Sequence, residues 1–98
     1  MKEMSKELFI AAKMYELRLL KKLCEMELRS SLDASNCIEL LIFSDTHQSK
    51  ALKRAALRSV IRNLASIVNT DVYKEFHKQH SELSLEVTRT IGDRYNNT

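Results

Sequence analysis

Apolar side chains recur every three or four positions along most of the chain, a spacing that is typical of amphipathic helices. The first helix is predicted from Lys6 to Tyr15, with Ser5 as its N-cap, and the second from Leu17 to Ser30. The change of phase between them predicts a bend near Glu16. The residues expected to face inward are Leu8, Ala11, Ala12 and Tyr15 in the first helix and Leu17, Leu20, Leu23, Cys24 and Leu28 in the second.

The third helix, predicted from Ala34 to Thr46 behind the cap Asp33, is apolar around most of its circumference. We therefore expect it at the centre of the fold. Further helices are predicted from the cap Ser49 to about Leu64, from the segment 69–71 onward, and from the cap Ser81 to Gly92 in a left-handed C′ position. Leu52, Ala56, Val60 and Leu64 are expected to pack against the third helix. The prediction is an all-α array of five to six short helices in antiparallel hairpins.

Composition supports this fold class and a single small domain. The 98 residues include one glycine and no proline, so hairpin turns and β-rich folds have almost no support. No apolar run approaches the ~18 residues of a membrane span, and the charged start "MKEMSKEL" is not a signal peptide. We expect no membrane partner and an intracellular location, in the nucleus or the cytoplasm. Because the first two helices carry large apolar faces, we also expect the chain to come from a longer protein.

Cys24 and Cys37 both lie inside helical apolar patterns. Reduced, buried thiols are the favoured interpretation, with a disulfide or a metal-binding pair as the alternative. His77 and His80 are three residues apart and share a helix face, but no second pair of ligands lies near them in sequence. Exposed or hydrogen-bonding histidines are therefore favoured there, and His47, two residues after Asp45, is expected to help cap a helix end.

No catalytic, cofactor or metal site is predicted. The chain has no glycine-rich phosphate loop and no nucleophile with an accompanying base and oxyanion feature. A non-enzymatic function is therefore expected, with no cofactor.

The fourth helix is basic, and no acidic residue occurs between Asp45 and Asp71. Its cations are Lys50, Lys53, Arg54, Arg58 and Arg62, and all but Lys53 are spaced four apart in one positive stripe. A solvated or protein-facing stripe is favoured. Nucleic-acid binding is the alternative, with acidic lipid third, because the start of this helix is only partly suited to contacting base edges. The net charge of +3 is too small to imply nucleic acid by itself.

A resemblance rests on two adjoining stretches. In "YELRLLKKLCEMEL", Tyr15, Leu17, Leu20, Lys21, Cys24, Glu25 and Leu28 form the pattern Y-x-L-x-x-L-K-x-x-C-E-x-x-L. This resembles the last helices of a BTB/POZ domain. The stretch "NCIELLIFSDTHQSKALKRAAL", with Asn36, Leu41, Asp45, His47, Leu52 and Ala56, resembles the three-box and BACK region that follows such a domain. Val60, Asn63, Leu64 and Ile67 continue the spacing, and the nearest likeness is to the speckle-type POZ, or MATH–BTB, group.

The resemblance implies three segments: C-terminal BTB helices over 1–32, a three-box/BACK-like domain over 33–92 and a frayed tail over 93–98. It implies a scaffold and oligomerisation module of a substrate adaptor for a cullin-3 ubiquitin ligase, with a homo-oligomer expected. The pair from Asp33 to Leu64 would support the cullin contact, and the substrate would bind through a domain absent from this chain. The residues implied in partner or self-association contacts are Leu40, Phe43, Asn63, Leu64, Ile67, Val68 and Tyr73. Ser59 stands where the family usually has an aromatic residue, so packing or an interface differs there.

Overall fold

Seven helices account for the fold of residues 2–96, the part of the chain that the computed structural model describes, with the side chains of 5–93. They are α1 (Lys2–Met14), α2 (Arg18–Ser30), α3 (Cys37–Thr46), α4 (Lys50–Arg62), α5 (Leu64–Ile67), α6 (Asp71–Gln79) and α7 (Ser81–Asn96). This part contains no strand, and the predicted all-α fold is confirmed. The additional helix is α5, a single turn that follows α4 after Asn63.

The junctions α1–α2 and α3–α4 have the same backbone geometry. Each first helix ends in a Schellman motif, with Glu16 (φ 55°) and Gln48 (φ 56°) in the left-handed region at C′. At the first junction, the backbone amide of Leu17 donates to the Ala12 carbonyl at 2.7 Å and that of Glu16 to the Lys13 carbonyl at 3.3 Å. At the second, the backbone amide of Ser49 donates to the Ser44 carbonyl at 2.9 Å and that of Gln48 to the Asp45 carbonyl at 3.3 Å. The predicted bend near Glu16 is confirmed. A side chain in this conformation costs about 1–2 kcal/mol relative to glycine.

Side chains at the starts of α3, α4 and α6 accept hydrogen bonds from main-chain amides. The carboxylate of Asp33 accepts the amides of Ser35 (2.9 Å) and Asn36 (3.1 Å), as expected of a cap, but residues 34–36 form a turn and not the first turn of the helix. Helix α3 therefore begins only at Cys37. Ser49 caps α4 as predicted, since its Oγ accepts the Leu52 amide, and Thr70 caps α6 in the same way.

The predicted end at Gly92 is wrong. Helix α7 continues through Gly92 to Asn96, and Gly92 does not have a positive φ. No atom approaches within 4 Å of the position of a Cβ at Gly92, so no contact forces a turn there and the helix simply propagates. Residues 93–96 of the predicted frayed tail are thus helical, whereas 97 and 98 lie outside the described residues.

Helix α3 is central, as predicted, because it contributes to both clusters of buried side chains. The larger cluster contains Cys37, Ile38, Leu41, Ala56, Val60, Ile67, Phe76, Leu83 and Val87, and the smaller one Leu28, Leu40 and Leu52. The α4 residues Leu52, Ala56 and Val60 are fully buried, and Leu64 is half-buried. Ser59 is fully buried too, so the departure from the family pattern at this position lies in the core.

The inward faces predicted for α1 and α2 are only partly correct. Phe9, not Leu8 or Tyr15, anchors α1: it is fully buried and packs edge-on against Phe43 with the ring centres 5.6 Å apart. Ala12, Cys24 and Leu28 are buried as predicted. Leu8, Tyr15, Leu17 and Leu23 are exposed, because the faces used within the chain are those of Phe9 and Cys24.

Candidate interaction surfaces

Large apolar side chains are exposed mainly on the first two helices. Of the ten large apolar residues recorded as exposed among the described side chains, seven lie between Leu8 and Met26. They are Leu8, Met14, Tyr15, Leu17, Leu19, Leu23 and Met26, with 41–72% of their surface accessible, and we call them the N-terminal apolar surface. Apolar side chains that are exposed together on a folded protein are typical of contacts with another protein or domain.

Helix α2 is apolar on two sides. Its inner side buries Cys24 and Leu28, while Leu19, Leu23 and Met26 follow one another at helical spacing on the outer side. The inner side is held to α4 by the Oγ of Ser49, which donates to Oε2 of Glu25 at 2.6 Å. The outer stripe is therefore presented on a helix whose position is fixed by the rest of the fold.

The positive stripe on α4 is exposed. Lys50, Arg54, Arg58 and Arg62 all lie at the surface, and none takes part in a salt bridge recorded among residues 5–93. Their guanidinium and ammonium groups thus face solvent along four turns of the helix. This exposure is common to a solvated stripe, a protein-facing stripe and a nucleic-acid-binding stripe, so the sequence prediction stays a prediction.

Lys53 does not belong to this surface. Its Nζ lies 3.0 Å from Oδ1 of Asp45 and 3.0 Å from Oε2 of Glu86, so one lysine joins the end of α3 to α7. Partial burial alone would lower the pKa of Lys53, but the hydrogen bonds and charges of Glu86 and Asp45 outweigh it and raise the pKa. The side chain of Asp45 accepts from Lys53 in this contact, and the cap of α4 is Ser49.

The three histidines lie in separate environments. His47 packs against the rings of both Phe9 and Phe43, and its carbonyl accepts from Nζ of Lys13 at 2.9 Å. Nδ1 of His77 lies 2.6 Å from Oγ of Ser84. His80 stacks on Phe76, with ring centres 6.2 Å apart. No group of three or more His, Cys, Asp or Glu side chains within the described part is arranged to hold a metal ion.

Both cysteines are free and buried, in agreement with the favoured interpretation. Burial raises the pKa of the Cys24 thiol, helped by the charge of Glu25. Burial also raises the pKa of Cys37, although hydrogen bonds, including one with Ser59, oppose it. Both groups are therefore poor thiolates and act as apolar core residues.

The residues implied in self-association are mostly engaged within the chain. Leu40 and Ile67 are buried, Phe43 and Tyr73 are half-buried and pack against the core clusters, and Leu64 is half-buried. The side-chain amide of Asn63, through Nδ2, donates to the Ser59 carbonyl at 2.8 Å and so closes the end of α4. Burial raises the pKa of Tyr73. Val68, 40% exposed, is the member of this set most available to a partner.

One feature of these surfaces was not predicted, whereas a leftover apolar face on the first helices was expected. The pairing of Lys53 with Glu86 joins residues 33 positions apart, and no local pattern indicates such a contact. The outer stripe of α2 had a signal, because Leu19, Leu23 and Met26 form a second apolar row beside the row of Leu20, Cys24 and Leu28. A membrane-spanning helix is not found among the described residues.

Comparison with known proteins shows that the chain is similar to part of several BTB/POZ domain-containing proteins. The chain is 42% identical over 84 residues to a BTB/POZ domain-containing protein of Arabidopsis thaliana, covering 86% of this chain and 30% of that protein. It is 28% identical over 86 residues to BTB/POZ and MATH domain-containing protein 6 of the same plant, covering 88% and 21%. It is 28% identical over 96 residues to protein maternal effect lethal 26 of Caenorhabditis elegans, covering 98% and 24%.

No family model matches the chain. The homologues named BTB/POZ include one that is also named for a MATH domain. The chain spans less than half the length of the curated relatives it matches.

Proposed function

We propose that the chain is a non-enzymatic interaction and oligomerisation module of a BTB/POZ substrate adaptor for a cullin-3 ubiquitin ligase. The observation that carries this proposal is the N-terminal apolar surface, which exposes aliphatic side chains on α1 and α2 and Tyr15 in the junction between them. Exposing apolar surface to water is unfavourable. Burying it in a protein contact gains about 25 cal/mol of free energy per Å² of apolar area. The similarity to BTB/POZ proteins supports a BTB/POZ adaptor as the protein to which this module belongs.

Within this proposal, residues 1–32 are the C-terminal helices of a BTB/POZ domain and 33–92 a three-box/BACK-like region of the speckle-type POZ kind. The order of the helices supports this division, since α1 and α2 form one hairpin and α3 and α4 the next. The segment from Asp33 to Leu64 would then support the cullin-3 contact. The substrate would bind through another domain of the parent protein, which would act in the nucleus or the cytoplasm.

The cullin-3 part is tested by titrating the chain with the N-terminal domain of cullin-3 and following the heat of binding. Saturable binding, with Kd of order 100 µM, is expected for a chain that supplies only part of the contact. Arg54→Ala should leave it unchanged at physiological salt, because the exposed stripe is not assigned to this contact. Absence of binding up to ~1 mM would contradict the cullin-3 assignment. Self-association is decided separately, by the solution mass of the chain.

The exposed α4 stripe supports one second candidate, a basic helical domain that binds nucleic acid. Four cations at i, i+4 spacing can contact phosphates along one face of the helix. This candidate predicts micromolar binding of mixed-sequence duplex DNA at ~50 mM salt, lost steeply as salt rises. A flat titration at that salt concentration would exclude it.

A further inference from the structure

An open groove of about 510 Å³ lies between α3 and α6, and we call it the α3–α6 groove. Its apolar lining consists of Ile38 and Ile42 from α3 and Val72 and Phe76 from α6. Ile38 and Phe76 are buried in the main core, Ile42 is half-buried, and 64% of Val72 is exposed. The groove therefore has a floor that is part of the folded core and a mouth that leaves aliphatic surface in water.

The rim of this groove is acidic. Glu39, Asp71 and Glu75 line it, and no lysine or arginine of the described residues does. Glu39 pairs with Lys6, but Asp71 and Glu75 take part in no salt bridge recorded among residues 5–93. The whole chain carries a net charge of +3, so the rim is opposite in sign to the molecule around it. A ligand that matches both lining and rim must combine apolar groups with positive charge.

We infer that the α3–α6 groove binds a basic amphipathic helix of a partner protein. Both walls are helices whose main-chain groups bond along their own axes, so the groove offers no strand edge to an extended peptide. A helical occupant satisfies its own main-chain groups and therefore needs no strand edge. The α6 wall runs from Asp71 to Gln79, about 13 Å, which suits two to three helical turns. Lys or Arg beside its apolar stripe would face Asp71 and Glu75.

The stripe on α4 of a second copy is a poorer match. It carries the right charge, but the side chains between its cations include Ala51 and Ala55, which are too short to fill the groove between Ile42 and Val72. A partner with leucine-sized groups satisfies both requirements. This inference extends the proposed interaction function to a surface that shares no residue with the N-terminal apolar surface, and its test does not involve cullin-3.

The test uses two designed helical peptides of about four turns with the same leucine stripe, one flanked by lysine and the other by glutamate. Fluorescence anisotropy of labelled peptide with the intact chain should give a Kd of about 10–100 µM for the lysine-flanked peptide. The glutamate-flanked peptide should bind at least tenfold more weakly. Glu75→Lys should weaken the lysine-flanked peptide about fivefold, whereas Glu27→Lys, an exposed carboxylate on α2, should not.

A second pair of variants tests the apolar lining. Val72→Asn should weaken the lysine-flanked peptide about fivefold, and Leu85→Asn, which alters an exposed apolar residue outside the groove, should leave the Kd unchanged. Circular dichroism confirms that each variant is folded. Equal binding of the two peptides, no binding up to ~1 mM, or an equal loss in a control variant would overturn the inference. A lower solution mass of Val72→Asn without peptide would overturn it in favour of a second copy as occupant.

Discussion

The α1–α2 and α3–α4 hairpins share a junction geometry but differ in their outer faces. Helix α2 presents Leu19, Leu23 and Met26 to solvent, whereas α4 presents a row of lysine and arginine. Both helices bury an inner face in the same fold. The inner faces of both helices are thus covered within the chain, whereas the outer face of α2 exposes apolar side chains and that of α4 exposes cations.

The largest expected effect separates inner from outer apolar residues. Leu41 is fully buried at the centre of α3, and an aspartate there would leave an unpaired charge in the core. We expect Leu41→Asp to unfold the chain, a loss of more than about 4 kcal/mol. Leu19→Asp, on the outer face of α2, should change the free energy of unfolding by less than about 0.5 kcal/mol. Far-UV circular dichroism and urea melts measure both, and an unchanged melt of Leu41→Asp would contradict the packing.

A smaller effect separates two lysines of α4. Lys53 bridges Asp45 and Glu86, whereas Lys50 is exposed and unbridged in the described residues. Lys53→Met should lower the free energy of unfolding by about 1 kcal/mol, and Lys50→Met by less than about 0.5 kcal/mol, because exposed single charges contribute little. Equal effects in urea denaturation would show that the bridge does not hold α7 to α3.

The bridge also has a defined pH dependence. The carboxylates raise the pKa of Lys53 in the folded state above its unfolded value. Its contribution to stability is therefore complete below the ordinary lysine pKa and is lost as the pH rises through the folded-state pKa. The difference in unfolding free energy between the wild type and Lys53→Met should accordingly be constant near neutral pH and shrink in strong alkali.

The two junctions should respond alike, in contrast to the outer faces. Glu16 and Gln48 both occupy left-handed C′ positions that favour glycine. Glu16→Gly and Gln48→Gly should each raise the free energy of unfolding by up to about 1 kcal/mol, because relief of backbone strain exceeds the added entropy of the unfolded chain. Thermal melts measure the gain. Destabilisation at only one junction would show that the two hairpins are not closed in the same way.

Gly92 differs from these two positions because it is a glycine in helical conformation, without a positive φ. It lies inside α7 with open space around it, so Gly92→Ala should raise the free energy of unfolding by about 0.5–1 kcal/mol through helix propensity. A loss of similar size would instead indicate the left-handed C′ conformation that the sequence suggested.

Features of the fold that depend on neighbours within a few positions could be predicted from the sequence. The cap Ser49 and the bend near Glu16 were predictable because each acts through neighbours within a few positions. The predicted cap Ser5 is wrong, because α1 begins at Lys2 and Ser5 lies inside it. The fold class and the central position of α3 followed from helical periodicity. The end at Gly92 failed because glycine permits a helix as well as its termination.

Interaction surfaces were harder to predict because periodicity finds apolar faces without saying what covers them. Leu23 and Cys24 are both apolar neighbours on α2, yet only Cys24 meets another helix of the chain. Lys53 and Lys50 look alike in sequence, and Glu86 distinguishes them only after the chain folds. The α3–α6 groove likewise forms from residues about 35 positions apart, so only the tertiary structure reveals it.

The central claim is that the N-terminal apolar surface makes protein contacts, and sedimentation of the 11.4 kDa chain over roughly a hundredfold range of concentration tests it most directly. The wild type should rise in mass toward twice that value as concentration increases. Leu23→Lys, on the outer face of α2, should keep the chain monomeric, whereas the exposed control Leu85→Lys should behave as the wild type. A wild-type chain that stays monomeric throughout would contradict self-association through this surface. Association unaffected by Leu23→Lys would place the contact elsewhere.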